Sequence, residues 1–278
     1  MKHFKSNLPF IALLLGLLTF SSCDDPIIYN LIPSKTRDRN ILLEDFTGVR
    51  CPNCPKAADE IKNLESLFPD NIIAVTIHTG FFAVPYTESK YNFRTPKCDQ
   101  FEQLMGQPVG YPTGALNRVY DDAVESYFRD FATWGSGIST LIEENPKVQV
   151  LISNTFDEST RILNTKITVT GLESVNEPLR LTALVTESGI VDVQVDSRLT
   201  PDKNPNYIHN HIMRDVLSAV SGDELAPSIQ VGQVIERNYQ MTVPPEAGWW
   251  NAANMDVVAY VSLNNLSVLQ ARKKAFTK

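Results

Sequence analysis

Apolar positions along this chain come in short runs with two different periods, and the change between them divides the sequence. Ile41-Leu42-Leu43-Glu44-Asp45-Phe46 is a nearly unbroken apolar run, which predicts a buried strand. Pro55 to Phe68 follows with Ala57, Ala58, Ile61, Leu64 and Phe68 at helical spacing, and Pro69-Asp70-Asn71 stops it. Ile72 to Ile77 is a second continuous run, suited to a central strand covered on both faces. A long connection broken by Pro85 and Pro96 leads to a helix around Cys98 to Met105 and a weak strand from Gly114 to Val119. Asp121 to Glu144 carries a helical pattern interrupted at Gly135 and Gly137. This order predicts a central sheet flanked by helices.

After Asn145-Pro146 the period shortens. Val148–Ile152, Lys166–Val169, Leu179–Val185, Val191–Val195, Ile208–Met213, Tyr239–Val243 and Val257–Val261 are short, mostly alternating runs separated by turn residues. Many short strands with little helix predict a β-sandwich. The chain therefore reads as two modules, residues 40–146 and 147–278, behind a polar tether at 23–39.

Residues 1–22 read as an export signal. Lys2 and Lys5 precede an apolar stretch from Leu8 to Phe20, too short to span a membrane comfortably. Small residues Ser21-Ser22 before Cys23 resemble a bacterial lipoprotein signal, although Phe20 is bulkier than the aliphatic residue usual there. Cys23 is thus the expected lipidation site, with ordinary cleavage nearby as the alternative, and any membrane attachment rests on that lipid. Asp24-Asp25 resembles export tags of outer-membrane lipoproteins, and equally reads as the start of a solvated linker. The formal charge of −7 becomes −9 without the leader's two lysines (23 basic against 32 acidic residues). So acidic a chain lacks the basic footprint that nucleic acid needs.

The chemistry concentrates at Cys51-Pro52-Asn53-Cys54, between the first strand and the first helix. At that corner the helix N-terminus favours an anion, and a thiolate is the form of cysteine that attacks disulfides. An oxidising envelope makes a Cys51–Cys54 disulfide the expected resting state. Cys98 is left over, either as a buried thiol or as a resolving thiol for the pair. Asp45, six residues before Cys51, is placed by strand geometry beneath the cysteines, where a buried carboxyl has a raised pKa and relays a proton to or from Cys54. Alternation lets only one of Glu44 and Asp45 point inward, so solvent exposure at a strand end is the competing reading. Arg50 offers either a cation beside the sulfur or an ordinary exposed loop arginine. Pro112, in Gly110-Tyr111-Pro112-Thr113, enters the weak strand. Taken with the cysteine motif and strand order, its peptide bond is expected to be cis.

These residues resemble the thioredoxin superfamily around its active site: Leu42 to Phe46, then Cys51 to Cys54, then Tyr111-Pro112-Thr113. Arg50 replaces the usual tryptophan, Pro-Asn replaces Gly-Pro inside the motif, and the span to Pro112 implies an insertion containing Cys98. Glu44 to Gly48, Gly110 to Thr113, Tyr207-Ile208-His209-Asn210-His211, Val257 to Val261 and Val268 to Ala271 resemble, more narrowly, the outer-membrane-protein-28-related lipoproteins. The resemblance implies an α/β thioredoxin-like domain followed by an all-β immunoglobulin-like sandwich, on an outer-membrane anchor.

Two functions follow. In the first, a cell-envelope lipoprotein is a thiol–disulfide oxidoreductase on protein substrates: Cys51 attacks, Cys54 resolves, Asp45 manages the proton and Pro112 shapes the docking groove. In the second, it is a non-catalytic surface binding or adhesion lipoprotein whose disulfide is structural and whose partner is a protein. An exposed Cys51 sulfur separates them. Copper at His209 and His211 with Tyr207 and Met213, and zinc at Cys51, Cys54, His78 and Cys98, have allowable ligand types. A polar strand face explains the first set better, and irregular spacing and the export route weigh against the second. His78 alone is a proton carrier or a loop residue, and one of Trp249-Trp250 caps a core or meets a partner. No phosphate loop, Ser-His-Asp arrangement or carboxylate pair stands out, so no cofactor or metal is expected.

Overall fold

β1 (Ile41–Thr47) is buried along its whole length, because both faces of its sheet are covered. The computed structural model describes residues 1, 39–245 and 249–277. The expected signal segment beyond Met1, the expected tether before Arg39 and the expected lipidation residue Cys23 lie outside the described residues. From β1 the chain passes through α1 (Cys54–Leu67) into the parallel strand β2 (Ile72–His78), with Asp45 beside Thr76 and Thr47 beside His78. α2 (Pro96–Met105) follows, capped by Thr95, whose side chain accepts from the Cys98 N–H. β3 (Thr113–Leu116) runs antiparallel to β1, and α3 (Trp134–Leu141) closes this half.

The second half is almost all strand: β4 (Val148–Asp157), β5 (Ile162–Gly171), β6 (Leu179–Glu187), β7 (Ile190–Val195), β8 (Lys203–His209), β9 (Ile212–Val216), β10 (Asp223–Ala226), β11 (Val234–Thr242), β12 (Met255–Leu263) and β13 (Val268–Ala275). These strands do not form a separate body. One eight-stranded mixed sheet runs β13-β12-β6-β9-β2-β1-β3, with β10 on β6. Its seam is the parallel contact of β9 with β2, where the Thr76 N–H donates to the His211 carbonyl at 2.7 Å. A three-stranded sheet, β11-β5-β4, packs Val148, Val150, Ile167 and Val169 on β6 and β12. β7 and β8 make a two-stranded hairpin.

The expected α/β thioredoxin-like domain followed by an immunoglobulin-like sandwich is therefore corrected. Among the described residues the chain is mostly strand with three α-helices, its main sheet is mixed, and that sheet draws strands from both sides of residue 146. The largest core does the same, joining Leu42, Phe46 and Ile77 to Leu184, Met213 and Tyr260. The physical reason is that β2 has an open edge that β9 fills, so the first three strands never become an independent sheet. All described residues from Arg39 onward belong to one compact unit.

Covering both faces also overturns the alternation argument for the carboxylates. Leu42, Glu44 and Phe46 face α2 and β12, whereas Ile41, Leu43 and Asp45 face α1 and α3. Both Glu44 and Asp45 are buried.

Candidate functional site

The cysteine motif lies where β1 turns into α1. Gly48 is required there: a Cβ on it would stand 2.3 Å from the backbone of Phe82, so only glycine lets the 81–84 loop close over the turn. The Cys51 N–H donates to the Gly48 carbonyl, and the Arg50 N–H to the Phe82 carbonyl. Cys51 and Cys54 form the expected disulfide, with Cα atoms 5.4 Å apart.

That disulfide is covered. Cys51 is 0% exposed and Cys54 3%. The cover is the hairpin of β7 and β8, which lies across the motif through named hydrogen bonds. The Val195 N–H donates to the Val49 carbonyl and the Ser197 N–H to the Pro52 carbonyl, both at 2.9 Å. The buried Gln194 amide donates to the carbonyls of Gly48 and Cys51 at 3.2 and 3.1 Å. Arg198 reaches from the hairpin turn to Asp59 on α1 at 2.6 Å. Sequence reading missed this cover entirely, since nothing local to residues 190–209 announces a contact with residues 48–59.

Beside the disulfide, between α1 and β8, is a cleft of about 700 Å³. Its floor holds Asp45, Thr76 and His78, its walls Cys54 and Ala58 on one side and Tyr207 and His209 on the other. Asp45 and Cys54 thus do meet in one cavity, while Pro112 lies outside it. The Tyr111–Pro112 bond is cis. Its Tyr111 side chain turns away to Glu102, with the hydroxyl donating at 2.5 Å.

Burial dominates the electrostatics of the cleft. It pushes Asp45 up to about 8, so the carboxyl is a neutral acid at pH 7. Burial also lowers His78 well below the ordinary imidazole range, helped by neighbouring His209, and brings His209 down to about 4. Both imidazoles are neutral. Asp45 Oδ1, both ring nitrogens of His78 and His209 Nε2 are buried without a hydrogen-bond partner. The two rings lie 5.8 Å apart, with Phe93 against both.

The remaining sequence candidates disperse. Arg50 does not face the sulfur; its guanidinium donates to the carbonyls of Val84 and Pro85 and lies over the Tyr86 ring. Cys98 is a buried thiol bonded to Thr95, packed with Phe46 and Phe101 on the sheet face opposite α1. His209 and His211 do not share a strand face. His211 sits in a turn with φ of +57° near Glu65, and Met213 is in the core. Among the described residues no group of three or more His, Cys, Asp or Glu side chains is arranged to hold a metal ion. Trp249 stacks on Tyr91 at 4.6 Å, and the Arg214 guanidinium lies against both Trp249 and Trp250.

The family model for outer membrane protein Omp28 matches residues 99–278. Among solved structures, HBP35 of Porphyromonas gingivalis is similar with a TM-score of 0.65 and 20% identity, over 86% of this chain and 76% of its own. A structure of an Agrobacterium tumefaciens protein is similar with a TM-score of 0.50 and 12% identity, over 86% and 95% of the respective chains. At such identities the likeness is one of fold. No curated protein matches the chain.

Proposed function

We propose, for a chain that belongs to the outer membrane protein Omp28 family, a non-catalytic binding role in the cell envelope, with the Cys51–Cys54 disulfide as a structural staple. The observation that carries this reading is the burial of the Cys51 sulfur beneath the β7–β8 hairpin. Disulfide exchange needs a thiolate to approach a sulfur, and access is part of the rate. Here that approach would require the Val195, Ser197 and Gln194 hydrogen bonds to open first. The oxidoreductase reading asked for an exposed sulfur and does not have one. A structural disulfide instead fixes the turn on which the hairpin rests, and so holds one wall of the cleft. A lipid on Cys23 fits the same reading and rests on the leader sequence alone, as does a protein partner at the cell surface.

The test is turnover of insulin or scrambled ribonuclease, together with resistance of the disulfide to glutathione. We expect no turnover above the reductant background, and no reduction of the pair by millimolar glutathione until denaturant is added. Replacing both cysteines by alanine should leave the fold intact and cost about 2 kcal/mol, the loop-entropy value for so short a loop. Turnover that vanishes in Cys51→Ser would overthrow the structural reading.

A further inference from the structure

The geometry points to the cleft between α1 and β8 as a site for a small uncharged polyhydroxylated ligand, the terminal unit of a neutral saccharide. This deepens the binding role proposed above and rests on it. Four buried polar atoms from Asp45, His78 and His209 lack partners in a cleft their residues line. Each such atom is destabilising unless something completes it. An apolar ligand would leave all four unsatisfied, whereas hydroxyl groups donate and accept and so suit a neutral acid and two neutral imidazoles alike.

Charge and size narrow the class further. A metal ion lacks a third ligand among the described residues. An anion meets no unpaired cation on the floor. The charged groups that α1 contributes to the lining of the cleft are Asp59, Lys62 and Glu65. Asp59 is held by Arg198 at 2.6 Å, Glu65 by His211 and Lys273 at 3.5 and 3.6 Å, and Lys62 is exposed. The Asp59–Arg198 and Glu65–His211 bridges both cross from α1 to the opposite wall. Their helix anchors lie six positions apart, about 9 Å along the axis. A span that short between two bridges suits one ring better than a long chain.

The opposite wall supplies directional groups. The Asn204 amide oxygen accepts from the Asn206 N–H and the Asn210 oxygen from the Gly189 N–H, both at 3.0 Å. These bonds fix the two amide planes and leave their NH₂ donors for a ligand. Tyr207, on β8 with Asn204, adds a half-buried ring. Fixed amides beside an aromatic ring, above a floor of neutral donors and acceptors, bind hydroxyl pairs without charge.

The test is side-chain NMR of the full chain, which has four histidines. The probes are galactose, glucose and N-acetylglucosamine, with glucuronate and glucosamine as charged counterparts. We expect at least one neutral sugar to shift the His78 and His209 imidazole signals with millimolar affinity, and the charged sugars to bind roughly tenfold more weakly. His209→Phe should abolish the shift of His78. If that variant fails to fold, Asn210→Ala at an exposed position, which removes one of the two amide donors, should still weaken binding severalfold. Silence from every neutral sugar, equal binding of the charged ones, or a response to zinc alone would each overturn the assignment. Those results would leave the structural disulfide untouched, whereas insulin turnover would remove the binding role itself.

Discussion

Replacing Arg118 by methionine should destabilise the protein by about 3–5 kcal/mol, the range for leaving a buried charge without its partner. Arg118 is 1% exposed and Glu44 0%. The guanidinium donates from Nε and Nη2 to the two Glu44 oxygens at 2.8 and 2.6 Å, and from Nη2 to the Tyr260 hydroxyl at 2.5 Å. The Phe101 and Tyr260 rings flank it. Such a forked pair is strong because both oxygens are satisfied at once. Removing the arginine strands the Glu44 carboxylate inside the sheet. Removing both, as Glu44→Leu with Arg118→Met, should cost far less, because neither desolvated charge remains. Urea denaturation of the three variants separates these outcomes. A single Arg118→Met within about 1 kcal/mol of the parent would mean that the pair is not closed in solution. The stakes reach beyond one contact: Glu44 is on β1 and Tyr260 on β12, so this network ties the two halves of the chain together.

That tie also shows why the sequence was legible locally and misleading globally. β1, α1 and β2 fall within a residue or so of the runs that predict them, because hydrophobic period is a local signal. The partner of a strand is not local. The Thr76–Ile212 contact joins residues 136 positions apart, and nothing in either run reports it. The change of period near residue 146 predicts two modules, and the sheet crosses that point. The run from Ile208 to Met213 reads as one strand, but His211 takes a positive φ and splits it into β8 and β9, sending one to the cleft and the other to the central sheet. By helical propensity Gly137 reads as an interruption of a helix. It lies inside α3 because a Cβ there would stand 2.6 Å from Leu116, so the glycine serves packing. Upstream of α3, residues 121–126 form turns and a bridge in place of the predicted helix. At the site, the cysteine pair and Asp45 were readable from spacing. His209 was visible as a residue but not as a neighbour of His78, and the hairpin that seals Cys51 left no trace near the motif.

Asp45→Asn should make the protein more stable at neutral pH, by an amount that grows with pH. Burial keeps the folded-state carboxyl protonated up to about 8, whereas in the unfolded chain it ionises near 3.9. Between those values the folded state binds one more proton than the unfolded state. Stability from this group is therefore complete below pH 4 and is lost as pH rises towards 8, at about 1.4 kcal/mol per pH unit. Asparagine is similar in shape and never ionises, so the variant escapes the loss. The gain over the parent should be near zero at pH 4 and on the order of 4 kcal/mol at pH 7. Asp99, Asp196 and Glu65 respond with the opposite sign, because their partners lower their pKa values and their stabilisation fades as pH falls. They are common to both proteins and cancel in the difference. Denaturant titrations at pH 4, 5.5 and 7 give that difference directly. A flat difference would show that Asp45 is ionised in the folded protein, and with it the uncharged floor of the cleft would be lost.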